Sequence, residues 1–169
     1  MWPVRGLRRR GSAPDDLYLV GEKGTIWRKK GGAWSLVLPA PASAKLLTVS
    51  GCGAKEVYAV GGAVVLRSSG DGFSELNIDL TNLVNGVACG PSGSALLVGD
   101  GGQKQRLVSG AWIDEFVIEP YDDLHAAWSD GTGSFWAVGG DFHGPKAAGV
   151  RRKGVVARYG PGTVPGDVQ

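Results

Sequence analysis

The chain has little of what usually announces chemistry. It holds two histidines, two cysteines and one methionine in 169 residues. The histidines, His125 and His143, stand 18 apart among scattered aspartates, a pattern that matches no metal-ligand spacing. Neither a resident metal nor another cofactor is expected. No run of about 18 apolar residues occurs, which excludes a membrane-spanning helix. The basic opening "MWPVRGLRRR" leads into "GSAPDDLYLVGEKG", with acids and glycine where a signal peptide needs an unbroken apolar core, so the chain as written is expected to stay where it is made. A G-x-S-x-G elbow and a G-x-x-x-x-G-K-S/T loop are both missing, which leaves nucleophile and phosphate chemistry without support.

Positive charge is also scarce where it would matter. The net charge is +2, and four of the 18 basic residues (Arg5, Arg8, Arg9, Arg10) fall in the first ten positions, leaving 14 against 16 acids in the remainder. A nucleic-acid binder needs a basic stripe over its folded face. Here the excess sits in a short arm and in Arg151, Arg152 and Lys153, and nucleic acid is not an expected partner.

What is abundant is glycine, at 29 residues, without a Gly-X-Y period; it marks tight turns and not collagen. The turns punctuate a repeat. "DLYLVGE", "EVYAVGG", "SALLVGD" and "SFWAVGG" place Val20, Val60, Val98 and Val138 at spacings of 40, 38 and 40, while Trp34, Phe73 and Trp112 keep a second beat of 39. Periods of this size mark repeat architectures. Within the second unit, "KLLTVSG", "EVYAVGG", "AVVLRSS" and "FSELNID" each read as a strand bounded by turn residues. Four strands in about 39 residues leave no room for a helix, so hairpins join them.

The expected fold class is therefore all-β: a partial β-propeller of about 3.5 to 4 four-stranded antiparallel blades. A solenoid or sandwich is the alternative, since repeats alone do not prove closure. Residues 1–11 read as a basic arm or degenerate first strand, 12–160 as the repeat domain and 161–169 as a tail. Tyr58, Val60 and their equivalents should fill the space between blades, with Gly61 sparing a collision with the adjacent blade. Cys52 and Cys89 occupy corresponding segments of neighbouring repeats and read as small buried residues, with no disulfide expected. Blade 4 is irregular, inserting "DFHGPKAAGVRRKG" before "VVARYG" and showing no clear fourth strand. Two raw apolar faces would remain, implying a fragment of a larger propeller, a half-ring completed by a second copy as a homodimer, or an open stack.

The stretch "LLTVSGCGAKEVYAVGGAVVLRSSGDGFSEL" resembles the BNR/Asp-box and Ycf48-like propeller repeats, particularly those of bacterial cell-envelope and secreted proteins, over about residues 12 to 140. Ser69, Asp71, Gly72 and Phe73 come near an Asp box, although the other units lack the aspartate. The resemblance implies the fold and leaves function open. Exported members begin with a signal sequence, so envelope or secreted placement is implied only if the N-terminus is truncated, and the compartment is left open.

Arg28, Arg67 and Arg106, each six positions before the aromatic, suggest the carboxylate-binding triad of a sialidase. Equivalent positions on successive blades cannot converge, so each guanidinium is instead expected to stack on its own aromatic. No catalytic residue is assigned, and Tyr18 and Tyr58 read as core. Loops carry function more often than strands, and the irregular fourth blade concentrates Asp122, Asp123, His125, Asp130 and Asp141. The binding candidates are Asp141, Phe142 and His143 in "GGDFHGPK". The expected function is a non-enzymatic interaction module for a protein or glycan partner; the alternative is a segment of a sialidase-like carbohydrate-active enzyme.

Overall fold

The computed structural model describes residues 8–13, 15–37, 44–53, 55–70, 72–141 and 153–160, the first of these segments by its backbone. Four antiparallel sheets follow one another along the chain. Blade 1 comprises β1 (Arg8–Ala13), β2 (Asp16–Val20), β3 (Ile26–Lys30) and β4 (Ala33–Leu36). Blade 2 comprises β5 (Thr48–Gly51), β6 (Val57–Gly61), β7 (Val64–Ser68) and β8 (Phe73–Glu75). Blade 3 has β9 (Val84–Cys89), β10 (Ala95–Gly99), β11 (Lys104–Val108) and β12 (Ala111–Asp114). Blade 4 has β13 (Leu124–Ser129), β14 (Phe135–Gly140) and β15 (Gly154–Tyr159) and, among the described residues, no fourth strand.

Each blade is a meander whose strands pair in chain order; in blades 1 to 3 the connections are too short for any other arrangement, and in blade 4 the longer segment between β14 and β15 leaves the order unchanged. Gly31 and Gly32, with φ of 58° and 85°, and Ser109 and Gly110, at 50° and 84°, put two left-handed residues between the third and fourth strands. Such turns match the twist of a hairpin, and glycine takes this backbone without a Cβ clash.

The second strands of blades 2 and 3 lie between two neighbouring blades, so their alternation shows as two apolar faces and not as one apolar and one polar. In β6, all five residues are buried. Val57 and Ala59 join Tyr18, Val20 and Ile26 in the core between blades 1 and 2, while Tyr58 and Val60 join Val84, Val87, Ala95 and Leu97 between blades 2 and 3. The same division recurs once more, where Leu96 and Val98 meet Phe135 and Ala137 of blade 4. Burying each large side chain contributes about 1.5 to 3 kcal/mol, so no blade holds its hydrophobic surface away from water without its neighbour.

Two expectations need correction. A Cβ on Gly61 would stand 2.0 Å from the Lys45 carbonyl oxygen, and on Gly99 or Gly139 1.8 Å from that of Leu83 or Asp123. The obstruction is the segment entering the blade's own first strand, not the adjacent blade; the inner strand crowds the second strand where the two begin to pair. The cysteines, moreover, are joined: Cys52 and Cys89 form a disulfide across 37 residues, with Cα atoms 4.7 Å apart. Corresponding positions one repeat apart are remote along the chain, but blades converge at their inner strands. Cys52 follows β5 directly and Cys89 ends β9, and those strands lie side by side: Ser50 Oγ accepts a hydrogen bond from the Cys89 amide at 3.2 Å.

Candidate ligand groove

The inner strands β5, β9 and β13 end on one rim, and a groove of about 390 Å³ opens between them. Its walls come from three blades: Thr48, Ser50 and Gly51 from β5, Val87 and Cys89 from β9, Ala127, Trp128 and Ser129 from β13. Asp16 and Tyr18 of β2 close one side. Small residues prevail here because the inner strands are the narrow edge of each wedge. The opening is consequently lined by the hydroxyl residues Thr48, Ser50 and Ser129 together with small apolar residues such as Val49, Ala88 and Ala127, with the indole of Trp128 standing 39% exposed at the blade 4 end.

Several of the polar groups serve the fold. Thr48 Oγ1 donates to the Asn85 carbonyl at 2.9 Å, tying β5 to β9. Asp16 takes two hydrogen bonds from Arg28, Nε to Oδ1 at 2.9 Å and Nη2 to Oδ2 at 3.1 Å. Trp128 is stacked on Trp136, its cross-strand partner, with ring centroids 5.9 Å apart and planes within 6°. That stack holds the indole in one orientation, as a rigid apolar plate at the blade 4 end of the groove.

The arginines do not stack on the aromatics that follow them, which corrects the expectation. Trp34, Phe73 and Trp112 pair with Lys29, Ser68 and Leu107, one residue after each arginine, so strand alternation points the guanidiniums to the opposite face. Each pairs with a carboxylate instead. Arg28 binds Asp16 and lies 5.1 Å from the centre of the Tyr18 ring, Arg67 reaches Glu56 at 2.8 Å, and Arg106 reaches Glu115 at 2.7 Å. Blade 4 holds a fourth member of the series, which the sequence does not mark because no aromatic stands six residues after it: Arg158 pairs with Trp136 as Arg28 does with Tyr18 and Arg67 with Tyr58. Its Nη2 donates to Ser134 Oγ at 2.8 Å. The four lie on separate blades and form no common site.

Tyr18 and Tyr58 are both buried. The Tyr58 hydroxyl donates to Glu56 Oε1 at 2.9 Å, and burial, followed by that carboxylate, pushes its pKa up to about 12. Blade 4's titratable groups are also engaged in structure. Asp123 Oδ1 accepts the Gly101 amide at 2.7 Å, Asp122 pairs with Lys153 at 3.5 Å, and His125 Nε2 lies 3.1 Å from the Gly140 carbonyl oxygen. Asp130 accepts the Thr132 hydroxyl and amide, which hold its carboxyl below the usual range. Among the described residues, no three of His, Cys, Asp and Glu gather as a metal site.

Of the binding candidates, Asp141 is exposed just past β14. Because β14 runs antiparallel to β13, that end lies at the rim opposite Ser129 and the groove. Phe142 and His143 lie outside the described residues, as does Asp71 of the near Asp box. The groove itself carried no motif in the sequence. Its residues share only their place at the ends of inner strands, the least regular part of each repeat.

Antiparallel meanders leaning face to face, with their first strands inward, define a partial β-propeller. No family model and no curated protein matches the chain. Among solved structures it is similar to a streptogramin B lyase at 16% identity and a TM-score of 0.60, over 80% of this chain and 49% of that one. It is similar to YCF48 from Cyanidioschyzon merolae at 20% identity and a TM-score of 0.56, over 81% and 51% of the two chains. A structure described as YCF48 bound to D1 peptide matches at 16% identity and a TM-score of 0.56, over 78% and 46%. The chain thus spans about half the length of these proteins. Such identities show the fold alone.

Proposed function

We propose that the chain is a non-enzymatic propeller module that receives a protein partner as an extended peptide in the inner-strand groove. The observation that carries this reading is the groove's lining: the hydroxyl residues Thr48, Ser50 and Ser129 among small apolar side chains from three blades, flanked by one rigid, partly exposed indole. Such a surface offers hydrogen bonds to a peptide backbone and a plate for one apolar or proline side chain, with little side-chain entropy to lose. The structural neighbour described as bound to D1 peptide supports a polypeptide as the class of ligand. The sialidase-like alternative loses its main motive, because Arg28, Arg67 and Arg106 are each held by an acid on their own blade.

Selection of random displayed dodecapeptides on the immobilised chain tests the reading. Enriched peptides should lose binding to Trp128→Ala, which removes the plate, and to Ser129→Tyr, which fills the groove. Enrichment indifferent to both substitutions would refute the proposal, as would turnover of a fluorogenic glycoside abolished by replacing one acid.

A further inference from the structure

The two end blades expose the two halves of an interface that the chain uses internally. At each junction the second strand of the earlier blade presents a large residue and a valine: Tyr18 with Val20, Tyr58 with Val60, Leu96 with Val98. At the first two junctions the following blade inserts the aromatic that opens or nearly opens its fourth strand. Phe73 meets Tyr18 edge-on at 5.8 Å, and Trp112 meets Tyr58 edge-on at 5.7 Å.

Trp136 and Val138 hold the presenting position in blade 4. Their cross-strand partners, Arg158 and Val156, repeat those of Tyr18 and Val20, which are Arg28 and Ile26. Among the described residues no strand covers this face, and Val156 is 67% exposed where Ile26 is buried. Trp34 holds the inserting position in blade 1, corresponding to Phe73 and Trp112, and is 42% exposed with Trp27 and Leu36 beside it. Among the described residues, one end has the donor aromatic without an acceptor and the other the acceptor without a donor.

We infer that a second copy of this chain docks head to tail, blade 4 of each copy against blade 1 of the other, so that two half-rings close into one ring. Twofold closure covers both faces and leaves no open end. The docked faces would follow the pattern of the junctions between blades 1 and 2 and between blades 2 and 3, with Trp136 and Trp128 standing where blade 2 has Tyr58 and Ser50. Closure would also complete the groove, since Trp128 lies in the same cross-strand row as Trp136. The inference is independent of the ligand reading; a chain that bound no peptide would still pair.

Sedimentation velocity of the full chain at micromolar concentrations should show a discrete dimer. Trp34→Asp and Trp136→Asp should each weaken association by at least about tenfold while keeping a cooperative melt. Mixing the two variants should restore association, because one contact in the mixed pair unites an unaltered Trp34 with an unaltered Trp136. A face-to-face dimer that joined like blades would not respond in this way. A well-behaved monomer, an open series of higher oligomers, or variants that stay apart when mixed would overturn the inference. Serine at the same positions serves if aspartate unfolds a blade.

Discussion

Lys104 shows how far a single position can depart from its repeat. Ile26 is the partner of Val20 and Lys104 that of Val98, so a lysine occupies an interior place that blade 1 fills with isoleucine. Its ammonium is buried and donates to the carbonyls of Gly102 at 2.6 Å and Pro120 at 2.7 Å, fastening the segment that enters blade 4. Burial lowers its pKa below 10.5, with Glu115 and Asp114 acting in the opposite sense. The unfolded chain therefore keeps a proton that the folded chain sheds between the lowered value and 10.5, and stability rises with pH across that interval. Thermal melts followed upward in pH towards about 10 should show wild type gaining on Lys104→Met. Above that range the raised Tyr58 and Tyr159 hydroxyls act the other way, since the unfolded phenols ionise first. Glycine makes a second residue-scale prediction. Gly99→Ala would force a Cβ to within 1.8 Å of the Leu83 oxygen, so denaturant unfolding should register a loss of about 3 kcal/mol. Gly53→Ala, with open space around its Cβ, should cost far less. The repeat in the sequence marked the Val-Gly glycines as special but could not name what they avoid, because the obstructing carbonyl lies far back along the chain.

At the scale of the element, strands are stabilised by pairs that cross them. Arg28 and Asp16 are mostly buried, whereas Arg67 is 47% exposed beside Glu56. Arg67→Ala should therefore cost less than about 1 kcal/mol in chemical denaturation, and Arg28→Ala about 2, since it strips a carboxylate and the Gly70 carbonyl of charge-assisted donors. The Cys52–Cys89 bridge acts between elements. Closing a loop of 37 residues restricts the unfolded chain by up to about 4 kcal/mol in the chain-entropy account. Reductant should lower the melting midpoint, and the double variant Cys52→Ala, Cys89→Ala should reproduce the reduced value without reductant. Strands were legible because β-branched and aromatic runs alternate with Gly, Ser and Asn. The bridge was not, because cysteine count and spacing describe a chain while a disulfide needs two backbones side by side. The arginine partners failed for a related reason: a spacing of six counts residues, but pairing register decides which face each one occupies.

At the scale of the whole molecule, the apolar faces of the end blades and the inner groove are both products of stacking wedges. Blade 4's Trp136 face and blade 1's Trp34 face are the surfaces whose exposure a closed ring removes, which is why oligomeric state, read by sedimentation, is the decisive property of this chain. The groove exists only where three inner strands from separate repeats converge, so no contiguous motif encodes it; Thr48, Cys89 and Trp128 are brought to one opening from three blades. By itself the amino-acid sequence determined the repeat, the strand count of each unit and the identity of the residues that fill the gaps between blades, because hydrophobic periodicity is a local property repeated at a fixed interval. Only the tertiary structure decided which cysteines meet, which acid holds each arginine and where a groove opens, because those depend on distances between residues remote along the chain that chain order does not contain.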